Sequence, residues 1–349
     1  MSIATFSQYE STQNAVVVKS RNVGIDLGRI VAFVCVVLVH TTASIHWPQW
    51  TAAPYKFGFG EALDTIGRAG VPFFFAASGY FFINRINNLG RWSAWWSVVR
   101  RILPLYGVWF VFYNTLWPSV FLKGPVATAL STLTGGTGFH LWYLPSLVVV
   151  LGIIAIAPTH LKTLFVVGVV MYAGGLLTTT YWFIALPHES SPMIRHAVRG
   201  LPCFGLPFCA FGAWWATEGK GRGSIQFLAI GAVLLAALSI FETVVLAYLH
   251  LSPPGAEDML VTTLPLGMVG FALATCIQLS GPLVSRISVL AKLSFGLYAV
   301  HLAFVLWLIP IFGNPGIGGR LCVAAATVAG AMVVSVAADR IPRLGVLFR

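Results

Sequence analysis

Arg29 and His40 stand eleven positions apart in an otherwise apolar stretch that opens Ile25-Asp26-Leu27-Gly28-Arg29. On a helix that spacing is about three turns, roughly 16 Å of rise, with only about 20° of rotation between the two side chains. Asp26 falls one turn before Arg29, near the same face. One helix face would then carry a carboxylate and a guanidinium at one rim and an imidazole deep inside. Such a face can hold an anionic cofactor at one end and do acid–base work at the other. The alternative is that Arg29 reaches back to lipid headgroups and His40 only packs.

Further residues invite the same question. Phe73-Phe74-Phe75-Ala76-Ala77-Ser78-Gly79-Tyr80 offers two hydroxyls for a substrate, and Gly79 would let another helix come close; packing alone also accounts for the run. Arg85, Arg91, Arg100 and Arg101 form a basic cluster whose guanidinium forks match phosphate oxygens. His140-Leu141-Trp142-Tyr143-Leu144 opens one apolar segment, His301 follows Ser294-Phe295-Gly296-Leu297-Tyr298, and Glu242 lies deep in another segment without an obvious local partner. An ionisable group inside a membrane is costly, so each of these is a functional candidate. The candidate catalytic set is His40, Asp26, Ser78, Tyr80 and Glu242.

The elements that must position them follow from composition. The chain has 349 residues, 58% hydrophobic and only 9% charged, against about one quarter charged in soluble proteins, and its mean hydropathy is +0.85. A soluble globular domain is excluded, and an all-α, polytopic membrane bundle is expected. Ten apolar segments run approximately over 25–45, 68–84, 102–121, 140–158, 163–183, 197–216, 225–249, 260–279, 289–311 and 319–338, each near the length a helix needs to cross a bilayer. Helices are required because lipid cannot satisfy an open strand edge. Prolines 104, 145, 207, 265 and 310 fall in or at the ends of segments, where they mark kinks rather than breaks.

With the N-terminus inside, fifteen of the 21 Lys and Arg residues face the cytoplasm. The positive-inside rule therefore puts both termini there. The same rule accounts for the net charge of +11, so nucleic acid is no expected partner. Residues 1–22 and 341–349 read as cytoplasmic tails flanking a transmembrane domain over 23–340, with no cleavable signal peptide at the start. Cys35, Cys203, Cys209, Cys276 and Cys322 sit in apolar runs without metal spacing, and no metal is expected. No internal repeat is visible, which counts mildly against a transporter.

One outer loop breaks the charge trend. It carries His188, Glu189, Arg195, His196 and Arg199. Arg195 and Arg199 would attract a pyrophosphate or a uronic acid. Alternatively they pair with lipid headgroups or with Glu61, Asp64, Glu257 and Asp258.

Taken together these motifs resemble acyltransferase family 3. Arg29-x10-His40 after Ile25-Asp26 is similar to the family's N-terminal signature, and Phe75-x2-Ser78-Gly79-Tyr80 to its second-span motif. Phe139-His140-Leu141-Trp142-Tyr143-Leu144 and Ser294-Phe295-Gly296-Leu297-Tyr298-x2-His301 resemble its fourth-segment and late motifs. They occur in the family's order over roughly residues 22–340. The resemblance implies a bacterial inner-membrane O-acyltransferase of the stand-alone transmembrane type. Its donor would be acetyl-CoA or another acyl-CoA, used as substrate. Its acceptor would be a hydroxyl of a lipid-linked or exported sugar, met among membrane lipids. Carried over by position, Arg29 and His40 are the essential first-span pair, and Arg100 or Arg101 matches a basic motif whose two arginines are usually separated by two residues. Members often carry a Glu after the Leu-Trp-x-Leu motif; here Pro145-Ser146-Leu147 follows, which leaves open which acid orients the histidine. On this reading His40 is the base, with Ser78 or Tyr80 as a candidate acyl carrier. Arg29, Arg85, Arg100 and Arg101 hold the phosphates of the donor, and His140, Trp142, Tyr143, His301, Arg195 and Arg199 face the acceptor. The alternative is a transporter or flippase for a sugar or lipid intermediate, using the same buried charges as a pathway.

Overall fold

The computed structural model describes residues 22–46, 57–117, 135–186, 198–200, 202–219, 223–251, 257, 259–313 and 315–348. Regular structure is helical throughout, with no strand among the described residues. Seven helical stretches are long and apolar enough to cross a membrane: Val23–Thr41, Phe59–Leu89, Phe139–Ile156, Leu161–Thr178, Ile225–Tyr248, Ser294–Phe312 and Ile317–Asp339. The chain is a multi-pass membrane protein. Its outward-facing side chains are those of lipid contact: Phe227 is 78% exposed and Val233 69%, a cost in water and none in hydrocarbon.

Helix α1 (Val23–Thr41) starts where the Asn22 side chain accepts the amide of Ile25 at 3.1 Å, a standard N-cap. It packs against α2 (Phe59–Gly67), α3 (Gly70–Leu89), α9 (Thr263–Cys276), α10 (Leu283–Lys292), α11 (Ser294–Phe312) and α12 (Ile317–Asp339). The helix bearing Arg29 and His40 is thus the hub of the bundle. On the far side of α3 lie α4 (Arg91–Leu116), α5 (Tyr143–Ile156), α6 (Leu161–Thr178) and α7 (Pro202–Trp214), and α8 (Ile225–Tyr248) leans on α9 at the edge.

Helix occupies each of the ten apolar segments, with four differences, the largest being that α4 begins at Arg91, eleven residues before the expected start of the third segment at 102. The second segment is preceded by α2, joined to α3 through Arg68 and Ala69. The sixth and eighth are short, 13 residues in α7 and 14 in α9. The ninth, expected over 289–311, is broken at Leu293, and α11 begins at Ser294. The break has a cause at the C-terminus. There the Phe348 carbonyl accepts the Gly296 amide at 3.1 Å, and the Phe348 ring meets Trp109 edge-on at 5.5 Å. Pro104, Pro207 and Pro310 lie inside helices, as expected.

Gly79 has the role its size suggested. A Cβ there would lie 2.0 Å from the Cys209 carbonyl oxygen, and one at Gly212 would lie 1.9 Å from that of Ala76. Backbone therefore meets backbone between α3 and α7, a small-residue contact of the kind that joins helices in lipid. Gly79→Ala should cost about 1–3 kcal/mol by overpacking, read as a lower unfolding midpoint in detergent; an unchanged midpoint would mean the two helices part freely.

Candidate active site

Two cavities lie at opposite ends of α1. The larger, about 650 Å³, is at the Arg29 end and includes Arg85, Arg101, Ser78, Tyr143 and Tyr298 in its wall. The smaller, about 290 Å³, is at the His40 end and includes His46, Arg68, His140, Trp142, Arg199 and again Tyr298. The helical spacing of Arg29 and His40 thus places one residue in each.

In the larger cavity three guanidiniums come from three helices. Arg29 and Arg85 are half-buried, and Arg101 is exposed. Arg85 is steadied by the Ser97 hydroxyl at 3.1 Å. The adjacent arginines diverge, since a helix turns about 100° per residue. Arg101 faces the cavity, whereas Arg100 lies 5.2 Å over the Trp96 ring outside it. Deeper in, Ser78 Oγ and Tyr143 Oη share a hydrogen bond of 3.2 Å.

The smaller cavity is built around histidines. The His40 and His301 rings stack at 5.6 Å and 19°, and His301 meets His140 edge-on at 5.0 Å. His46 lies 6.3 Å and Phe139 5.3 Å from His40, centroid to centroid. His301 Nδ1 is 2.6 Å from the Tyr298 carbonyl. A carbonyl only accepts, so Nδ1 carries the hydrogen and Nε2 is left as a lone pair; that Nε2 is buried without a hydrogen-bond partner. By the same logic His140 donates from Nε2 to the Ala299 carbonyl at 3.3 Å, and its Nδ1 is the bare nitrogen. Of the stacked pair, His40 borders the cavity and His301, wholly buried, backs it.

The loop that delivers His140 is set by local chemistry. Gly135 and Gly136 adopt positive φ (88° and 59°), conformations open to glycine. Asn114 accepts the Thr137 amide at 3.1 Å. The turn Phe139–Trp142 follows and runs into α5. Because Trp142 and Tyr143 are consecutive, they part company. Trp142 lines the smaller cavity with Arg199 at 5.3 Å over its ring, while Tyr143, grouped with it on the acceptor side in the sequence reading, lines the larger one.

Three of the five catalytic candidates stand apart from both cavities. Asp26 is buried at the far rim, where Ser288 donates to it at 3.3 Å. The ring of Tyr80 packs edge-on to Phe271 at 5.7 Å. Glu242, which showed no partner in sequence, accepts from Tyr181 Oη, the Val261 and Thr262 amides and the Thr262 hydroxyl, at 2.5 to 3.0 Å. It pins the turn that leads into α9. Arg195 lies outside the described residues.

Sequence reasoning passed over His46, Arg68 and Tyr298. Tyr298 could have been found, because it precedes His301 by three residues on one helix face. His46 lies beyond the end of α1, and Arg68 sits in the turn between α2 and α3, where no periodicity points to a site. Buried Asp64 holds Arg68 at 3.0 Å and faces His46 Nε2 at 3.8 Å. Glu61 accepts the Ser44 amide and hydroxyl at 2.9 and 2.7 Å. Arg320 donates to the Thr42 carbonyl at 3.0 Å and the Ser44 hydroxyl at 2.8 Å, tying α12 to the end of α1. Among the described residues no group of three His, Cys, Asp or Glu side chains has the arrangement of a metal site.

Fold and site together describe a membrane-embedded helix bundle with one cavity on each side of Tyr298, the smaller of them lined by histidines. The profile of the acyltransferase domain, family 3, matches residues 22–340, nearly the whole chain, and the protein belongs to that family. Two curated proteins of Enterococcus faecalis, each named amino-acid racemase, are similar in part: 32% identical over 146 residues and 26% over 168. Those stretches are 38% and 46% of this chain but 19% and 22% of the relatives, so the chain spans about a fifth of the length of the proteins it matches. No solved structure matches it.

Proposed function

We propose that the protein is an O-acyltransferase of the bacterial inner membrane. It takes an acyl group, acetyl first among them, from acyl-CoA in the larger cavity and passes it to a sugar hydroxyl in the smaller one. The observation that carries this reading is a pair of cavities meeting at Tyr298, the larger holding Arg29, Arg85 and Arg101 and the smaller holding the histidines. Membership of the acyltransferase family supplies the reaction type. The positive-inside rule turns the Arg29 end to the cytoplasm, where acyl-CoA is made. The matched segment is about a fifth of the racemases, so racemisation is no part of the proposal.

Arg29, Arg85 and Arg101 hold the donor's phosphates by charge-assisted hydrogen bonds, and the pantetheine arm reaches up α1. His40 takes the proton of the acceptor hydroxyl as its oxygen attacks the thioester carbonyl. The C–O bond forms, the C–S bond breaks, and the thiolate receives that proton, leaving an ester and free CoA. A histidine is suited to this because its ordinary pKa is close to working pH. Asp26 is about four turns away, so no carboxylate on α1 orients His40; the stacked His301 takes that part. Ser78 has a phenol rather than an imidazole as its hydrogen-bond partner, and a serine nucleophile needs an adjacent base. Direct transfer follows.

The test is purified protein in sealed liposomes with acyl-CoA on the Arg29 side. CoA thiol should appear only when a glycan acceptor is supplied on the other. Acceptor movement without thiol release would favour the flippase instead. Arg199, stacked on Trp142 at the acceptor cavity, should bind acceptor equally in ground and transition states. Arg199→Ala should raise the acceptor KM about tenfold, the worth of one charged hydrogen bond, with kcat and the donor KM unchanged. An unaltered acceptor KM would remove Arg199 from the acceptor site.

A further inference from the structure

The two cavities share one wall residue, Tyr298. Its ring projects from α11 one turn before His301, on the same side of the helix. Aromatic rings enclose it: His140 at 5.2 Å, Tyr143 at 5.7 Å, His301 at 5.9 Å and Phe74 at 6.4 Å between centroids. Rings this close are in edge or face contact, and the side chain is only 6% exposed although it borders both spaces. Its far end is tied as well, since the Tyr298 hydroxyl donates to the His140 carbonyl. The phenol proton is directed at backbone, not at a cavity. This is how a wall is anchored.

Such a wall has two consequences. Water reaching in from each end stops at it, so the bundle does not become a pore. An acyl group on its way from the Arg29 cavity to His40 must also pass beside the ring. We propose that Tyr298 is the septum between the donor and acceptor cavities and the residue that sets how large an acyl group can reach His40. A short acyl group fits beside the ring, and a longer one needs the space the ring fills. The selectivity half rests on the acyl-transfer reading; the septum half does not.

Single cysteines at Ser78 and at Val39, in a chain whose five native cysteines are replaced, separate the two halves. Sealed vesicles of known orientation are treated with a membrane-impermeant thiol reagent from either side. With Tyr298 present, Ser78→Cys should react from the Arg29 side alone and Val39→Cys from the other side alone. Tyr298→Ala should raise far-side labelling of both at least tenfold, and Tyr298→Phe, which keeps the ring, should leave sidedness as it was. If the alanine variant does not reach the membrane, Tyr298→Leu should show a smaller rise in the same direction. Far-side labelling indifferent to Tyr298→Ala and Tyr298→Leu, or Ser78→Cys reacting from both sides with Tyr298 intact, would overturn the septum. In parallel, Tyr298→Ala should raise turnover of hexanoyl-CoA relative to acetyl-CoA at least tenfold, with Tyr298→Phe keeping the wild-type ratio. An unchanged ratio overturns the selectivity half. Wild-type protein that releases no thiol from any acyl-CoA overturns the acyl-transfer reading, and the labelling still decides the septum.

Discussion

His40→Ala should lower kcat for acyl transfer about a thousandfold, in the middle of the range a positioned general base contributes. That corresponds to about 4 kcal/mol of transition-state stabilisation. The donor KM should stay within about twofold, because the phosphates are held three turns away at the Arg29 end. His301→Ala should fall less far: it has no face on the cavity and acts through the ring stacked on it. His40→Gln separates proton transfer from packing, since it keeps polarity and much of the volume but has no nitrogen to take a proton. Steady-state turnover on folded, detergent-monodisperse protein checks all three. A His40→Gln variant within tenfold of wild type would place the base elsewhere in the cluster, with the bare Nε2 of His301 and Nδ1 of His140 as the next candidates.

The second large effect is a contrast between neighbours. Arg29→Gln and Arg101→Gln should each raise the KM for acyl-CoA about 10- to 100-fold, the loss of a charged hydrogen bond to phosphate. Arg100→Gln should change it less than about twofold, because a guanidinium stacked on an exposed Trp contributes little outside that contact. Acceptor KM should not move in any of the three. Ionic strength adds a further distinction. Arg101 is exposed and Arg29 half-buried, so raising salt should shrink the Arg101→Gln deficit more than the Arg29→Gln deficit. Donor affinity by calorimetry or ligand-dependent thermal shift decides the matter. Equal loss from Arg100→Gln and Arg101→Gln would show a diffuse positive rim in place of a site.

Much of this was present in one dimension. Composition alone required a helical membrane bundle, because a chain with so few charges cannot leave water-facing surface enough for a soluble fold. The face shared by Arg29 and His40 was legible because both lie on one helix, and helical geometry is local. For the same reason His301 and its motif could be singled out. Most spans were placed to within about five residues, α4 excepted, which begins at Arg91 rather than at 102. The break at Leu293 was not legible: it depends on the chain end docking at Gly296, a contact between residues more than fifty positions apart.

What the tertiary structure decided were relations between elements. Periodicity cannot say which of two adjacent side chains meets a cavity built by other helices, so Arg100 and Arg101 stayed equivalent until α4 was packed against α3 and α5. Trp142 and Tyr143 looked like one motif and face two different spaces, since consecutive residues on a helix point about 100° apart. A buried carboxylate reads as functional when its partners are invisible. Glu242 finds its donors about twenty and sixty residues away along the chain and becomes a clamp. His46, Arg68 and Tyr298 become parts of a site only once α1, α2, α3 and α11 are brought together, because a cavity is a property of the space between helices and no single helix encodes it.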